Sequence, residues 1–315
     1  MRGFPLAHDG GVIEARNLSK HYGRTVAVDD LSFDVLPGKV TGFLGPNGAG
    51  KTTTMRMILG LDRPNSGIVT INGRRYRDLP APLREVGALI DAKAVHGGRK
   101  AYNHLLLLAQ SNGIPASRVD EVLRIVGLEG VAGRRAGGFS LGMGQRLGIA
   151  AALLGDPGIL MFDEPVNGLD PEGIAWVREL MRALAAEGRT VFVSSHLMSE
   201  MALTADHLIV IGKGRLIRDE SVTQFVESSS QRSVRVRSPQ RDRLEELLQR
   251  AGASFSTVED GTLDVHGLGA EAIGEMAASN GLVLHELTPK RASLEEAFME
   301  LTRDSVEFHA TGQVA

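Results

Sequence analysis

Short apolar runs separated by turn residues dominate the first two thirds of the chain, a pattern that predicts β-strands. Within residues 12–36 polar residues interrupt these runs, which predicts a small antiparallel sheet. Later runs are apolar throughout, as in buried parallel strands: residues 40–44, 86–90, 158–162 and 190–195. Residues 100–155 instead show helical spacing. We therefore expect an α/β core on a mainly parallel sheet, with an antiparallel β subdomain and a helical insertion at about residues 92–155.

The last quarter of the chain has a different pattern. After a Ser-rich linker at Ser228–Arg232, the order of apolar runs predicts strand, helix, strand, strand, helix, strand, the last strand at residues 282–287. That βαββαβ order is typical of a small ferredoxin-like α+β domain, and a further helix is predicted to begin at the capping box Ser293–Glu296. We predict a tail at residues 1–10, one domain at 11–227 and a second at 228–315. The second domain carries no catalytic constellation, which favours a regulatory or dimerising role.

Composition narrows the class of protein only modestly. The chain has 315 residues, a net charge of −3 and no cysteine, so disulfides and thiolate metal sites are excluded. Nothing in the balance of charge points to nucleic acid as a partner. No apolar run is long enough to span a membrane, and residues 1–11 do not resemble a signal peptide. If the protein serves a membrane, we expect it to act from outside the bilayer.

The clearest chemical signal is the stretch Gly45-Pro46-Asn47-Gly48-Ala49-Gly50-Lys51-Thr52. It has the spacing G-x-x-x-x-G-K-[ST] between a predicted strand and a predicted helix. There its backbone N–H groups and the helix dipole cradle phosphates. Lys51 reaches the β- and γ-phosphates and the Thr52 hydroxyl ligates Mg²⁺; Thr53 completes the set of expected nucleotide ligands. The sequence predicts a P-loop NTPase core that binds a nucleoside triphosphate.

Three polar residues follow buried strands that are expected to end beside this loop. Asp163 and Glu164 terminate the run at 158–162, and His196 follows the run at 190–195. Parallel strands bring their carboxyl ends to one edge of a sheet. There Asp163 suits holding Mg²⁺ and Glu164 suits polarising an attacking water. His196 suits contacting the γ-phosphate. Together with the phosphate loop, this favours hydrolysis of the triphosphate.

Weaker signals lie elsewhere in the chain. Tyr22 precedes Gly23 at the end of a predicted strand, and on spacing alone it is equally well a base-stacking residue or a strand-end tyrosine. Ser140 and Gly142 lie in a glycine-rich stretch before a helix, which offers N–H groups to an anion but is also what ordinary helix caps look like. A polar turn containing Asp170 precedes an amphipathic helix.

Taken in order, these motifs resemble the ATP-binding subunits of ABC transporters over roughly residues 11–220. The phosphate loop is similar to the Walker A motif, and Ile159–Glu164 to Walker B with its catalytic glutamate. Phe139–Met143 stands at the signature motif. The resemblance implies that Tyr22 stacks on adenine, that Asp170 belongs to the D-loop and that His196 is the switch histidine. Within the family, the sequence resembles the ATP-binding subunits of drug and antibiotic exporters of the daunorubicin-resistance type.

Two departures from the family pattern are visible. The signature has Leu141 in place of its first glycine and Met143 in place of glutamine, although Ser140 and Gly142 are kept. Asp91 stands where the family has the Q-loop glutamine, which contacts Mg²⁺ and links the site to the transport subunit. The carboxylate of Asp91 is suited to Mg²⁺, directly or through water, but its side chain is shorter and charged.

The resemblance also implies partners and a location. Two copies face each other head to tail, so that each ATP lies between one copy's phosphate loop and the other's signature. ATP hydrolysis, with Mg²⁺, then powers export through a separate permease, and the chain sits peripherally on the cytoplasmic face of the membrane, with no nucleic-acid partner. One alternative is a soluble ABC-type ATPase acting on ribosomes or nucleic acid, which the single cassette and the lack of heptads disfavour. Another is a protein that sequesters a compound or regulates, with ATP as a switch.

Overall fold

A computed structural model of the chain describes residues 10–91, 94–228, 233–258, 261–290, 294–295 and 298–299. The described residues separate into two compact units, the first ending at Ser221 and the second beginning at Val222. The predicted division into residues 1–10, 11–227 and 228–315 stays a prediction.

The first unit contains two sheets. Its strands are β1 (Ile13–Tyr22), β2 (Thr25–Val35), β3 (Val40–Leu44), β4 (Ser66–Ile71), β5 (Val86–Leu89), β6 (Ile159–Asp163), β7 (Thr190–Ser195), β8 (His207–Gly212) and β9 (Arg215–Ser221). An antiparallel sheet has the order β2-β1-β4. The larger sheet has the order β5-β6-β7-β3-β8-β9; it is parallel from β5 to β8, and β9 is antiparallel. The predicted mainly parallel core with an antiparallel subdomain is confirmed.

The helices of this unit are α1 (Lys51–Ile58), α2 (Pro82–Glu85), α3 (Ala101–Ser111), α4 (Ser117–Ile125), α5 (Leu141–Leu153), α6 (Pro171–Ala186) and α7 (Met198–Thr204). Helices α3, α4 and α5 lie between β5 and β6 in the chain, where the helical insertion was predicted. Helix α1 ends at Ile58, and Gly60, whose φ of +66° suits glycine, follows two residues later.

The two sheets of the first unit share one core. Phe33 of β2 packs on Phe43 of β3 and Phe192 of β7, with ring centroids 5.6 and 5.8 Å away. Met55 and Ile58 of α1 are buried in the same cluster. Because α1 is wedged into this core, the loop that precedes it is held at the carboxyl edge of the parallel sheet.

The second unit has helices α8 (Val222–Ser228), α9 (Arg241–Arg250) and α10 (Ala270–Ser279), with strands β10 (Ser233–Arg237), β11 (Ser254–Thr257), β12 (Leu263–His266) and β13 (Glu286–Lys290). Its antiparallel sheet has the order β11-β12-β10-β13. From β10 to β13 the chain therefore runs βαββαβ, which confirms the predicted ferredoxin-like domain.

One strand of this unit lies later than predicted. The pattern placed it at residues 282–287, whereas β13 spans Glu286–Lys290. The C-terminal cap of α10 explains this shift. The N–H of Leu282 donates to the Ala277 carbonyl oxygen at 2.9 Å, so the start of the apolar run that follows Gly281 belongs to the cap and not to the strand. Pro289 is tolerated in β13 because β13 is an edge strand. The predicted capping box at Ser293–Glu296 and most of the predicted linker lie outside the described residues.

Candidate active site

The phosphate loop lies between β3 and α1 as predicted, and its glycines are required by its shape. Gly48 and Gly50 have φ of +82° and +102°, backbone conformations that are costly for other residues. A Cβ on Gly50 would lie 2.4 Å from the carbonyl oxygen of Ala27. From behind, Gly214 of the β8–β9 hairpin donates its N–H to the Ala49 carbonyl at 3.2 Å. The loop is thus held open before any ligand binds.

Lys51 lies inside this loop. Its Nζ donates to the carbonyl oxygens of Gly45 at 2.6 Å and Pro46 at 3.2 Å, and the residue is 8% exposed. Burial lowers the pKa of Lys51, while the carboxylates of Glu164 and Asp163 oppose that shift. An anion that entered the loop would therefore meet a desolvated ammonium group with few competing water contacts.

Asp163 is held between two hydroxyl groups from neighbouring elements. Thr52 donates to its Oδ2 at 2.7 Å, and the hydroxyl of Ser194 on β7 donates to its Oδ1. Ser194 is the register partner of Asp163 across the β6–β7 pair. Asp163 is buried, so both of its oxygens are oriented by the surrounding protein.

Glu164 and His196 form a second pair at the same edge. His196 Nδ1 lies 2.7 Å from Glu164 Oε2, and the two residues follow adjacent parallel strands. Glu164 has φ of +50°, and its N–H is held by the Ser194 hydroxyl at 3.0 Å. This left-handed backbone turns the glutamate away from the direction of the strand. The pairing of the two side chains was not evident from sequence.

Loop residues 46–52 and the Glu164–His196 pair line one open cleft of about 430 Å³, whereas Gly45 and Asp163 are not among its lining residues. Thr53 lines it too, as do Ala27 and Asn167, which the sequence analysis did not single out. Ala27 lies on β2, far from any motif, and no pattern could have identified it. Asn167 lies in the polar turn that precedes α6, and a polar turn soon after Glu164 could have indicated a cleft residue.

Gln145 of α5 is another residue that sequence analysis missed. Its Nε2 donates to the carbonyl oxygens of Glu164 and Asn167, each at 3.4 Å, and it is 6% exposed. It therefore connects the helix that follows the signature stretch to the backbone of two cleft residues.

Tyr22 lies at the end of β1 and does not line this cleft. Its hydroxyl donates to Asp62 Oδ2 at 2.8 Å, and 48% of the residue is exposed. Burial and then the Asp62 carboxylate raise the pKa of Tyr22. An exposed aromatic face at this position suits a base.

Ser140, Gly142 and Asp170 also lie outside the cleft. Ser140 caps α5 by accepting the Met143 N–H at 3.2 Å, and Asp170 caps α6 by accepting the Gly173 N–H at 2.9 Å. A Cβ on Gly142 would lie 3.1 Å from Leu169 Cδ2. Within one chain these residues therefore have structural roles.

Asp91 follows β5, the edge strand beyond β6, whereas the phosphate loop follows β3. Three strand spacings of about 4.8 Å separate β5 from β3, or roughly 14 Å between the strands. Within the described ranges, no three His, Asp or Glu side chains cluster as metal ligands. The structure pairs Thr52 with Asp163 directly. Asp91 follows the strand next to β6, in which Leu89 lies opposite Phe162.

None of the helices among the described residues has the length and apolar character needed to cross a bilayer.

Comparison with known proteins agrees with this geometry. The ABC transporter family profile matches residues 28–167, and a profile described as a domain of unknown function (DUF8746) matches residues 232–295. The bacitracin transport ATP-binding protein BcrA of Bacillus licheniformis is 36% identical, over 92% of this chain and 97% of its own length. The lantibiotic transport ATP-binding protein SrtF of Streptococcus pyogenes is 36% identical over 66% of this chain and 90% of its own.

Solved structures agree as well. A structure described as the ATP binding subunit of an ABC transporter is 28% identical, covers 69% of this chain and 92% of its own, and has a TM-score of 0.63. With relatives this similar along nearly its whole length, and with the phosphate loop, Asp163, Glu164 and His196 gathered at one edge of its sheet, the chain belongs to the ATP-binding ATPase subunits of ABC transporters.

Proposed function

We propose that this protein hydrolyses ATP to power the export of an antibiotic or drug-like compound through a separate membrane permease. The observation that carries the proposal is one cleft lined by Lys51, Thr52 and the Glu164–His196 pair, with Asp163 bonded to Thr52. The similarity to bacitracin and lantibiotic transport ATP-binding proteins supports the class of compound. Those relatives lend no support to an ATPase acting on ribosomes or nucleic acid.

The phosphate loop binds the triphosphate. Lys51 leaves the two loop carbonyls that it now contacts and pairs with the β- and γ-phosphates, while loop N–H groups from Gly48 to Thr53 hold the remaining oxygens. Tyr22 stacks on the adenine at the far end of the nucleotide. Because Lys51 is already desolvated, its pairing with phosphate costs little further desolvation.

Thr52 and Asp163 have the chemistry of a Mg²⁺ site. Mg²⁺ prefers hard oxygen ligands and commonly takes only one or two from the protein, with phosphate and water completing its shell. The Thr52 hydroxyl and Asp163 Oδ2, 2.7 Å apart, meet that requirement. Bound there, the ion would neutralise charge on the β- and γ-phosphates. Asp91, which follows the neighbouring strand β5, would add a carboxylate, directly or through water.

Glu164 is the proposed catalytic base. Its carboxylate accepts a hydrogen bond from water and turns the oxygen toward the γ-phosphorus. His196 holds one oxygen of that carboxylate and presents its other ring nitrogen for the γ-phosphate. The φ of +50° at Glu164 and the Ser194 hydrogen bond fix where this carboxylate lies.

A second copy completes the site. The negative charge of the γ-phosphate needs donors on all sides, and one copy supplies them on only one side, near Lys51 and His196. Ser140, Gly142 and Asp170 do not line it, so we place them against the nucleotide of a partner copy in a head-to-tail dimer. Closing and reopening of that dimer would move the permease, with the chain on the cytoplasmic face of the membrane.

The domain predicted at residues 228–315 is then a regulatory or dimerising module. It matches a profile described as a domain of unknown function, and the ferredoxin-like fold of its described residues supplies a stable surface.

The proposed role of Glu164 is tested with Glu164→Gln. The amide cannot accept a proton from water, so we expect ATP affinity to stay within about threefold while kcat falls by about 10² or more. Glu129→Gln serves as a control, because Glu129 is exposed and lies outside the cleft. Hydrolysis near the wild-type rate in Glu164→Gln would contradict the assignment.

The transport role is tested by purifying the tagged chain from gently solubilised membranes of its own cell. A polytopic membrane protein recovered in stoichiometric amount supports the proposal and identifies the permease. Recovery only with ribosomes or nucleic acid would leave the ATPase chemistry standing and overturn the transport role.

A further inference from the structure

The end of β1, where Tyr22 lies, is tied to the loop between α1 and β4. The N–H of Asn65 donates to the Ser19 carbonyl at 2.8 Å, and its side-chain oxygen accepts the His21 N–H at 2.8 Å. Lys20 Nζ donates to the carbonyl of Arg63, also at 2.8 Å. These contacts fix the loop and the strand end as one piece of structure.

The Tyr22 ring itself is held twice. Its hydroxyl donates to Asp62 Oδ2 at 2.8 Å, and the ammonium group of Lys20 lies 5.0 Å from the ring centroid, a cation–π distance. Even so, 48% of Tyr22 is exposed. Ordering an exposed side chain costs conformational entropy without gaining burial. A ring that is held and still exposed is suited to presenting its face to a ligand.

Asp62 is in turn held by α1, the helix that begins with Lys51. Arg56 Nε donates to Asp62 Oδ2 at 2.7 Å, and its Nη2 lies 3.4 Å from Oδ1. The Asp62 side chain is 18% exposed. Hydrogen bonding from Arg56, with help from Tyr22 and against burial, keeps the pKa of Asp62 below its usual value. The carboxylate is therefore a permanent acceptor for the Tyr22 hydroxyl.

We propose that Asp62 is a positioning residue for the nucleotide: it holds the Tyr22 ring as a preformed platform for the base, and Arg56 holds Asp62. The inference rests on the proposed function, because it takes Tyr22 as the base-stacking residue. It adds that one helix, α1, orders both ends of the site: Lys51 and Thr52 for the phosphates and, through Arg56 and Asp62, the platform for the base.

The test compares a ligand that has a base with one that does not. Isothermal titrations of the full chain measure the Kd for ATP and for inorganic tripolyphosphate. We expect Asp62→Ala to weaken ATP by about three- to tenfold, the worth of one net hydrogen bond, with tripolyphosphate unchanged. Asp62→Asn keeps one acceptor oxygen and should recover part of the loss.

Tyr22→Phe removes the hydroxyl and keeps the ring, so it should reproduce the effect of Asp62→Ala. The double variant should lose no more than either single variant, because both remove the same contact. Asp34→Ala is the matched control. It breaks another carboxylate–guanidinium pair, which joins β1 to β2 with Arg16 Nη2 3.0 Å from Asp34 Oδ2, and both affinities should stay as in the wild type.

Two results overturn the inference. One is an unchanged ATP affinity in Asp62→Ala, and the other is an equal loss for ATP and tripolyphosphate, which would mean that α1 itself is damaged. The proposed function is judged separately with Lys51→Ala, which must weaken both ligands. If Lys51→Ala weakens neither, the nucleotide site is misassigned and the role of Asp62 falls with it.

Discussion

Ser194 contacts both Asp163, the proposed Mg²⁺ ligand, and Glu164, the proposed catalytic base. It is fully buried on β7. Its hydroxyl donates to Asp163 Oδ1 and accepts the Glu164 N–H at 3.0 Å. In Ser194→Ala both contacts are lost at once. Asp163 then keeps only Thr52 on its other oxygen, and the Glu164 N–H keeps only the backbone carbonyl of Ser194 at 3.3 Å.

The size of the effect follows from the two lost contacts. A hydrogen bond to a charged acceptor contributes about 1.5–3 kcal/mol and a neutral one about 0.5–1.5 kcal/mol. We therefore expect Ser194→Ala to lower the free energy of unfolding by about 2–4 kcal/mol. Ser195→Ala is the control, because Ser195 is equally buried and its hydroxyl accepts one neutral bond, from Leu197 N–H at 3.0 Å. Its cost should be about 1 kcal/mol.

Trp176 makes the comparison measurable. It is the sole tryptophan of the chain and lies on α6. The guanidinium carbon of Arg146 lies 4.4 Å from the centroid of the Trp176 ring. The described residues form two compact units, and two units need not unfold in a single transition. Trp176 lies in the first unit, so its fluorescence in urea reports the unfolding of that unit. The reasoning is refuted if the two serine variants differ by less than about 0.5 kcal/mol. A fall in kcat of about tenfold in Ser194→Ala would match the loss of about 1.4 kcal/mol of orientation.

Two further predictions concern the phosphate loop. Gly50→Ala should abolish ATP binding and destabilise the first unit, because its Cβ would lie 2.4 Å from the Ala27 carbonyl oxygen. Gly38→Ala, with φ of +72° and no atom within 4 Å, should show only the backbone cost of about 1–2 kcal/mol. Lys51 should take up a proton when ATP binds at alkaline pH. Burial lowers its pKa in the free protein and phosphate restores the charged form, so ATP affinity should fall as pH rises through that lowered pKa. Calorimetry in two buffers of different ionisation enthalpy measures this uptake, and equal heats in both buffers would contradict it.

The order of elements and much of the site follow from local sequence. The phosphate loop needs only Gly48, Gly50 and a strand–helix context, and these are visible as a contiguous stretch. The buried parallel strands are likewise evident as unbroken apolar runs. The late position of β13 was missed because a helix cap at Leu282 competes with the same apolar residues.

Only the tertiary structure decided which distant segments of the chain come into contact. Thr52 meets Asp163, and Glu164 meets His196, because the strand order β6-β7-β3 brings three separate strand ends to one edge. The same order leaves Asp91 on the edge strand. Ser194, Ala27 and Asp62 belong to no motif, since their roles depend on which neighbour lies across a sheet or beside a helix. Sequence determines the chemistry that each segment carries, and packing determines which groups are close enough to act together.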